Sequence, residues 1–188
     1  MNKNIIIAGV GGQGILTIAT ILDLAAMNAG LNIKQAEVHG MSQRGGAVQT
    51  HLRISDSEIY SDLIPLGQAD LILSVEPLEA LRYIPYLKPE GAIVTSDEPF
   101  KNIGNYPDEN AVFEEIKKTT KDVIFVDAKK IANQLGNPKS SNIVMLGAAA
   151  QFIGINNSDF EWAIGKLFGA KGEDVVNLNI KAFYATKE

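Results

Sequence analysis

The stretch that decides the fold is "NIIIAGVGGQGILTIATILDLAAMNAG", residues 4–30, where an apolar run leads into a glycine-rich turn and an amphipathic segment. Residues 4–9 have the composition of a short buried strand, and residues 13–29 repeat apolar side chains at helical spacing. Gly30 is a natural stop for that helix. The stretch therefore predicts a strand, a tight turn and a helix, the opening unit of an α/β sheet.

The turn has the spacing G-x-G-x-x-G at Gly9, Gly11 and Gly14. Between a strand and a helix, this pattern is typical of dinucleotide-binding turns, which hold a phosphate at the helix N-terminus. A P-loop is excluded, because the two residues after the last glycine are apolar instead of Lys and Ser or Thr. Close packing of the helix on its strand, with no ligand, explains the glycines equally well.

The rest of the chain alternates apolar and amphipathic segments. We predict strands at 32–38, 47–55, 69–75, 91–97 and 122–128, and helices at 77–87, 109–120, 142–154, 158–168 and 173–186. No linker or repeat divides the sequence. The expected fold is a Rossmann-like α/β domain spanning residues 1–188, with a mostly parallel sheet, flanking helices and a helical C-terminal region.

The connection between the second and third strands is too short for a parallel crossover. About nine residues separate Glu37 from Ala47, fewer than the roughly ten to twelve that a crossover with its helix needs. The third strand is therefore expected to be antiparallel or an edge piece. Glu37 itself lies near the position where a dinucleotide-binding fold has its ribose-binding acid.

The loop between these strands contains the polar side chains of His39, Ser42, Gln43 and Arg44, which are followed by Gly45 and Gly46. It follows the carboxyl end of the second strand, so we expect it beside the glycine turn, at the ligand-binding edge of the sheet. The Arg44 guanidinium suits a carboxylate or phosphate, and a surface arginine is the simpler interpretation. His39 suits acid–base chemistry, anion donation or a structural hydrogen bond.

Alternation in the third strand places Gln49, His51 and Arg53 on one face. We expect this polar face to be exposed to solvent or to a partner protein, with His51 structural or interfacial.

Composition excludes several classes of function. The 188 residues include no cysteine and two histidines, so thiolate ligands for an iron–sulfur cluster or zinc are absent and an all-histidine metal site is not expected. The net charge of −5 argues against general attraction to nucleic acid. No apolar run has the length of a membrane span and no signal-peptide pattern is present, which predicts a cytoplasmic protein.

Three motifs in order resemble a known family: "GVGGQG" (9–14), "EVHGMSQRGGAVQTHLRIS" (37–55) and "SNIVMLGA" (141–148). They are similar to the gamma-type subunit of 2-oxoacid:ferredoxin oxidoreductases. The form of the G-M-S-Q-R-G-G loop is closest to the beta subunit of the indolepyruvate branch. The resemblance covers nearly the whole chain.

The resemblance implies a division of labour between two chains. Family members convert a 2-oxoacid, coenzyme A and oxidised ferredoxin into an acyl-CoA, CO₂ and reduced ferredoxin. Thiamine diphosphate and the iron–sulfur clusters are then expected in a larger partner subunit, with ferredoxin as electron acceptor. This chain is expected to bind no cofactor or metal alone, to be inactive in isolation, and to be able to form a homodimer when isolated.

The resemblance also implies which residues face coenzyme A, the substrate or the partner, and it implies no catalytic residue in this chain. In the turn, these residues are Gly9, Gly11, Gly12, Gln13 and Gly14, whose amides suit a phosphate or carboxylate. In the second strand and its loop, they are Glu37, His39, Ser42, Gln43, Arg44, Gly45 and Gly46.

Two other functions remain open from the residues alone. The glycine turn with Glu37 also suits a stand-alone NAD(P)- or flavin-binding oxidoreductase, although the chain has no Tyr-x-x-x-Lys pair and no second domain for a substrate. A non-catalytic interaction module with an α/β fold is the other alternative.

Overall fold

Strand β1 (Asn2–Val10) lies inside a six-stranded sheet in the computed structural model, which describes residues 1–40, 45–101 and 103–187. The other strands are β2 (Asn32–His39), β3 (Ala47–Ser55), β4 (Ala69–Ser74), β5 (Leu87–Ser96) and β6 (Val123–Val126). The helices are α1 (Ile15–Asn28), α2 (Pro77–Arg82), α3 (Glu109–Thr119), α4 (Ala128–Gln134), α5 (Ser141–Ile153), α6 (Asn157–Phe168) and α7 (Glu173–Tyr184).

The sheet order is β2-β3-β1-β4-β5-β6, and β1, β4, β5 and β6 are mutually parallel. Strand β3 is antiparallel to both of its neighbours, pairing Ala8 with Gln49 and Val38 with Gln49. The antiparallel direction expected from the short connection is confirmed. The strand is interior, however, because it inserts between β1 and β2.

Two apolar cores lie on opposite faces of the sheet, since successive strand residues point to opposite sides. Ile5 and Ile7 belong to the larger core, against α1, α5, α6 and α7. Ile6 and Ala8 belong to the smaller core, which α2, α3 and the buried Ile64 cover. The mostly parallel α/β sheet with a helical C-terminal region is confirmed.

Two expectations about the helices need correction. The predicted helix at 77–87 ends at Arg82, and a separate 3₁₀ turn follows at Ile84–Tyr86 before β5. Pro85 explains this break, because proline lacks an amide hydrogen and disfavours helical geometry in the residue before it. Helix α4 was not predicted; its N-cap is Asp127, whose carboxylate accepts a hydrogen bond from the Lys130 amide at 3.2 Å.

The expected exposure of the polar face of β3 is wrong, whereas a structural role of His51 is confirmed. His51 is 4% exposed, its Nδ1 accepts a hydrogen bond from the Ile64 amide at 3.1 Å, and its ring packs edge-on against Tyr86. Arg53 on the same face donates to Asn4 Oδ1 at 3.0 Å. The segment that joins β3 to β4 covers this face, and strand alternation could not reveal that cover.

Within residues 1–40, 45–101 and 103–187, no helix has the length and apolar character needed to cross a bilayer.

Helix α5 packs against α7 with almost no space at Gly147. A Cβ atom at this position would lie 2.0 Å from the Phe183 carbonyl oxygen, whereas Gly165 in α6 has nothing within 4 Å. We expect Gly147→Ala to lower the free energy of unfolding by about 1–3 kcal/mol, because two helix backbones must separate. Gly165→Ala should leave it unchanged or raise it by up to about 1 kcal/mol. Urea denaturation of both variants measures the difference, and equal stabilities would contradict this close packing.

Candidate functional site

The glycine turn between β1 and α1 is packed tightly at two of its glycines. A Cβ atom at Gly9 would lie 2.4 Å from Val75 Cγ2, and one at Gly14 would lie 2.5 Å from Asn142 Nδ2. Gly14 also has a φ of +80°, a backbone conformation that favours glycine. The Asn142 side chain donates from Nδ2 to the Gly14 carbonyl at 3.1 Å, so the glycine turn is fixed to the first turn of α5.

The Gln13 side chain closes the turn from inside. Its Oε1 accepts a hydrogen bond from the Val10 amide at 2.7 Å, and its Nε2 lies 3.5 Å from the Val75 carbonyl oxygen at the end of β4. The Gln13 amide donates to the Val10 carbonyl at 3.1 Å. This side chain therefore holds the turn in shape, and its backbone amide is already engaged.

The loop between β2 and β3 lies directly beside the turn. The Gly11 amide donates to the Gly46 carbonyl at 2.8 Å, and the Gly45 amide donates to the Gly11 carbonyl at 3.3 Å. Gly45 has a φ of +78°, which explains a glycine at this position. The expected proximity of the two loops is confirmed for their described parts; Ser42, Gln43 and Arg44 lie outside the described residues.

Four backbone amides at the start of α1 have no hydrogen-bond partner among the described residues: Gly12, Gly14, Ile15 and Leu16. The first amides of a helix are unsatisfied by the helix itself, and together with the helix dipole they attract an anion. The sequence pattern indicates the first two of these amides; it also indicates those of Gly11 and Gln13, which instead donate to Gly46 and Val10. It missed the amides of Ile15 and Leu16, because apolar side chains at helical spacing say nothing about backbone donors.

These amides line an open cleft of about 340 Å³ between the turn and the β2–β3 hairpin. Its walls include Thr17 from α1, His39 from β2 and Val48 from β3. A second cavity of about 280 Å³ lies on the other side of Gln13, towards α5 and the end of β5. The turn thus separates two cavities at the carboxyl edge of the parallel strands, where α/β sheets bind ligands.

Glu37 and His39 lie together at the end of β2. His39 Nε2 is 3.2 Å from Glu37 Oε2, and the two side chains are 49% and 26% exposed. Strand β3 separates β2 from β1, and neighbouring strands are about 4.8 Å apart, so Glu37 is roughly 10 Å from the strand that carries the turn. An ordinary dinucleotide fold has its acidic residue on the adjacent strand. This geometry disfavours ribose binding by Glu37.

A second carboxylate, Asp23 on α1, belongs to the same environment. Burial raises the pKa of Asp23 to about 6, and the negative charge of Glu37 adds to the shift. Its Oδ1 atom is buried and has no hydrogen-bond partner among the described residues.

Comparison with known proteins identifies clear relatives. The family described as "Pyruvate ferredoxin/flavodoxin oxidoreductase" matches residues 4–188. Indolepyruvate oxidoreductase subunit IorB of Pyrococcus horikoshii is 43% identical over 159 residues, covering 79% of this chain and 76% of that protein. The pyruvate/ketoisovalerate oxidoreductases common subunit gamma of Pyrococcus furiosus is 30% identical over 183 residues, covering 95% of this chain and 94% of that protein.

A solved structure shares the fold. It is the 2-oxoglutarate:ferredoxin oxidoreductase from Magnetococcus marinus with 2-oxoglutarate, coenzyme A and succinyl-CoA bound, with a TM-score of 0.76 and 23% identity. The match covers 97% of this chain and 30% of that chain, so in Magnetococcus this fold is one part of a much longer polypeptide.

The shifted pKa of Asp23 makes stability depend on pH. The folded protein holds a proton on Asp23 up to about pH 6, whereas the unfolded chain releases it near the ordinary value of 3.8. The free energy of unfolding should therefore fall as pH rises through this window, by on the order of 2 kcal/mol. The asparagine of Asp23→Asn does not titrate. We therefore expect the stability of the variant relative to the wild type to increase by that amount when the pH is raised from 4.5 to 7.5. Urea denaturation at both pH values tests this, and a difference that does not change with pH would contradict it.

Proposed function

This chain belongs to the pyruvate ferredoxin/flavodoxin oxidoreductase family, as its three motifs predicted, and from this membership we propose that it is the gamma-type subunit of an aryl-pyruvate:ferredoxin oxidoreductase. The enzyme converts indolepyruvate or a related 2-oxoacid, coenzyme A and oxidised ferredoxin into an acyl-CoA, CO₂ and reduced ferredoxin. Higher identity to the indolepyruvate subunit than to the pyruvate/ketoisovalerate subunit, 43% against 30%, supports the aryl-pyruvate branch.

The redox and decarboxylation chemistry belongs to a larger partner subunit in this proposal. Iron–sulfur clusters are held by cysteine thiolates, and this chain contains no cysteine. Thiamine diphosphate supplies the carbanion chemistry, while protein groups supply binding, orientation and electrostatics. The role that remains for this chain is to bind and position a co-substrate beside the partner.

The observation that carries this role is the four amides in the cleft that have no hydrogen-bond partner within the described part of the chain. Gly12, Gly14, Ile15 and Leu16 offer N–H donors at the positive end of a 14-residue helix. Such donors suit a phosphate group of coenzyme A, and a carboxylate is the weaker alternative because it has fewer acceptor oxygens. Binding there holds coenzyme A at the carboxyl edge of the sheet.

The loop at 42–44 completes the cleft in this proposal. Ser42, Gln43 and Arg44 are flanked by glycines at 40, 45 and 46, and Gly45 and Gly46 are hydrogen-bonded to Gly11. The Arg44 guanidinium can pair with a phosphate in two parallel hydrogen bonds. The loop thus contributes the positive charge that the amides alone lack.

Joint expression of this chain with its larger subunit tests the proposed function. Under anaerobic conditions, reduction of a ferredoxin-type dye should require both chains, a 2-oxoacid and coenzyme A. We expect kcat/KM to be at least about tenfold higher for indolepyruvate and phenylpyruvate than for pyruvate, a discrimination worth about 1.4 kcal/mol. Equal or faster reaction of pyruvate would contradict the aryl-pyruvate assignment. Binding of NAD(P) or flavin by this chain alone would favour a stand-alone oxidoreductase instead.

The cleft can be tested by placing a negative charge inside it. Thr17 lines the cleft, whereas Thr20 lies one turn further along α1 and does not. We expect Thr17→Glu to raise KM for coenzyme A about tenfold in the two-subunit enzyme, because its carboxylate occupies the position of an anion. The same charge near the helix N-terminus should preserve or slightly raise stability, by about 0.3–1 kcal/mol. Thr20→Glu is the matched control, and equal KM values for both variants would locate the coenzyme elsewhere.

A further inference from the structure

The segment between β3 and β4, residues 56–68, exposes three large apolar side chains. Tyr60 is 85% exposed, Leu63 is 55% exposed and Leu66 is 65% exposed. Surface hydrophobics scattered singly are ordinary, whereas several on one short segment indicate an interaction site. We call the surface formed by these three residues the apolar loop surface.

The segment is fixed in place by groups beneath it. Two of its residues, Ile59 and Ile64, point inward and are 7% and 2% exposed. The Ile64 amide donates to the buried His51 ring at 3.1 Å, and Arg53 donates to the Ser61 and Leu63 carbonyls at 2.9 and 3.4 Å. Because the backbone is held by these bonds, Leu63 cannot turn inward without breaking them. The exposed apolar side chains are therefore a fixed feature of the fold.

A further hydrogen bond extends this fixed region across to the neighbouring 3₁₀ turn. The Gly67 amide donates to the Pro85 carbonyl at 2.9 Å, which places Leu66 next to the exposed Pro85. The apolar loop surface is thus held at both ends of the segment.

The charged side chains of the segment itself are negative, and the Arg53 guanidinium beneath it is engaged by the Ser61 and Leu63 carbonyls. Glu58 and Asp62 are exposed, and neither forms an ion pair with any residue in the part of the chain that the structure describes. The sequence of residues 56–68 contains no lysine or arginine. A second copy of this chain, related by a two-fold axis, would bring like charges together. A complementary partner has an apolar hollow bordered by basic side chains.

We propose that the apolar loop surface docks the larger subunit of the same enzyme, which meets it with an apolar hollow bordered by lysine or arginine. This inference rests on the proposed function. In the Magnetococcus structure, the equivalent fold is 30% of a longer chain and is covalently joined to the rest. A separate subunit must instead hold its partner by surface contacts, and a fixed apolar segment with a charged border provides them.

The apolar loop surface lies away from the glycine turn. Ser55, just before the segment, pairs with Asn2 at the start of β1, and Ala69, just after it, begins β4. The turn follows the opposite end of β1. The apolar loop surface and the cleft therefore lie at opposite edges of the sheet, and substitutions at the two places have separable effects.

The test is binding of the purified full-length chain to its purified larger subunit. We expect Leu63→Asp combined with Leu66→Asp to weaken the dissociation constant at least about 100-fold, because two apolar contacts become buried charges. The thermal midpoint and circular dichroism of the free variant should match the wild type, since both positions are exposed. Met27→Asp is the matched control: Met27 is 63% exposed on α1, which packs on the other face of the sheet.

Charge reversal tests the basic border of the partner. Glu58→Lys combined with Asp62→Lys should lower the association rate about tenfold at low salt and much less at high salt. Wild-type affinity of the double aspartate variant for the larger subunit would overturn the proposal. A homodimer of the wild-type chain that the double aspartate variant disrupts and the Met27→Asp control does not would also overturn the proposal, because the surface would then bind a second copy of this chain. A two-chain complex that assembles through this surface but oxidises no 2-oxoacid would refute the proposed function alone.

Discussion

The short β2–β3 connection is the constraint from which the other features of this fold follow. The seven residues 40–46 cannot carry a helical crossover, so β3 returns antiparallel and inserts between β2 and β1. The hairpin loop then lies at the carboxyl edge of the sheet, hydrogen-bonded to Gly11 in the glycine turn. The same reversal leaves β3 ending at the amino edge, where residues 56–68 must lead into β4 without an intervening helix. The length of the β2–β3 connection therefore determines the positions of both the cleft and the apolar loop surface.

Much of the family's motif pattern encodes packing. Asn142 in the third motif donates to Gly14 in the first, and a side chain at Gly14 would collide with it. Gly147, five residues later, allows α5 and α7 to touch at the Phe183 carbonyl. Gln13 holds the turn closed through the Val10 amide. These contacts shape the turn so that the amides at the start of α1 have no hydrogen-bond partner among the described residues, and the proposed binding role depends on that geometry.

The sequence predicted the elements whose cause is local and missed those that depend on distant contacts. Apolar periodicity indicated α1 and all six strands, and the short loop indicated the direction of β3. The sequence prediction extended α2 through Pro85, overlooked the short polar helix α4, and left the face of β3 that carries His51 exposed. The cover over His51 comes from Ile64, thirteen residues away, and no alternation pattern within a strand records such a contact. Likewise, residue types indicated a phosphate-binding turn, but only the backbone geometry shows which amides are free.

Under the proposed function, the negative charge of this chain means that the cleft depends on its partner to attract an anionic co-substrate. The chain has a net charge of −5, and burial, with a smaller contribution from the negative charge of Glu37, raises the pKa of Asp23 to about 6. Such a surface repels an anionic co-substrate at long range, while helix amides act only within the first turn. Screening at physiological salt limits the repulsion to about 8 Å, so an anion that reaches the amides is held, but nothing in the net charge draws it there. Under the proposed function, the attraction comes from Arg44 and from basic groups of the partner, and we expect the affinity for coenzyme A to increase when the two chains assemble.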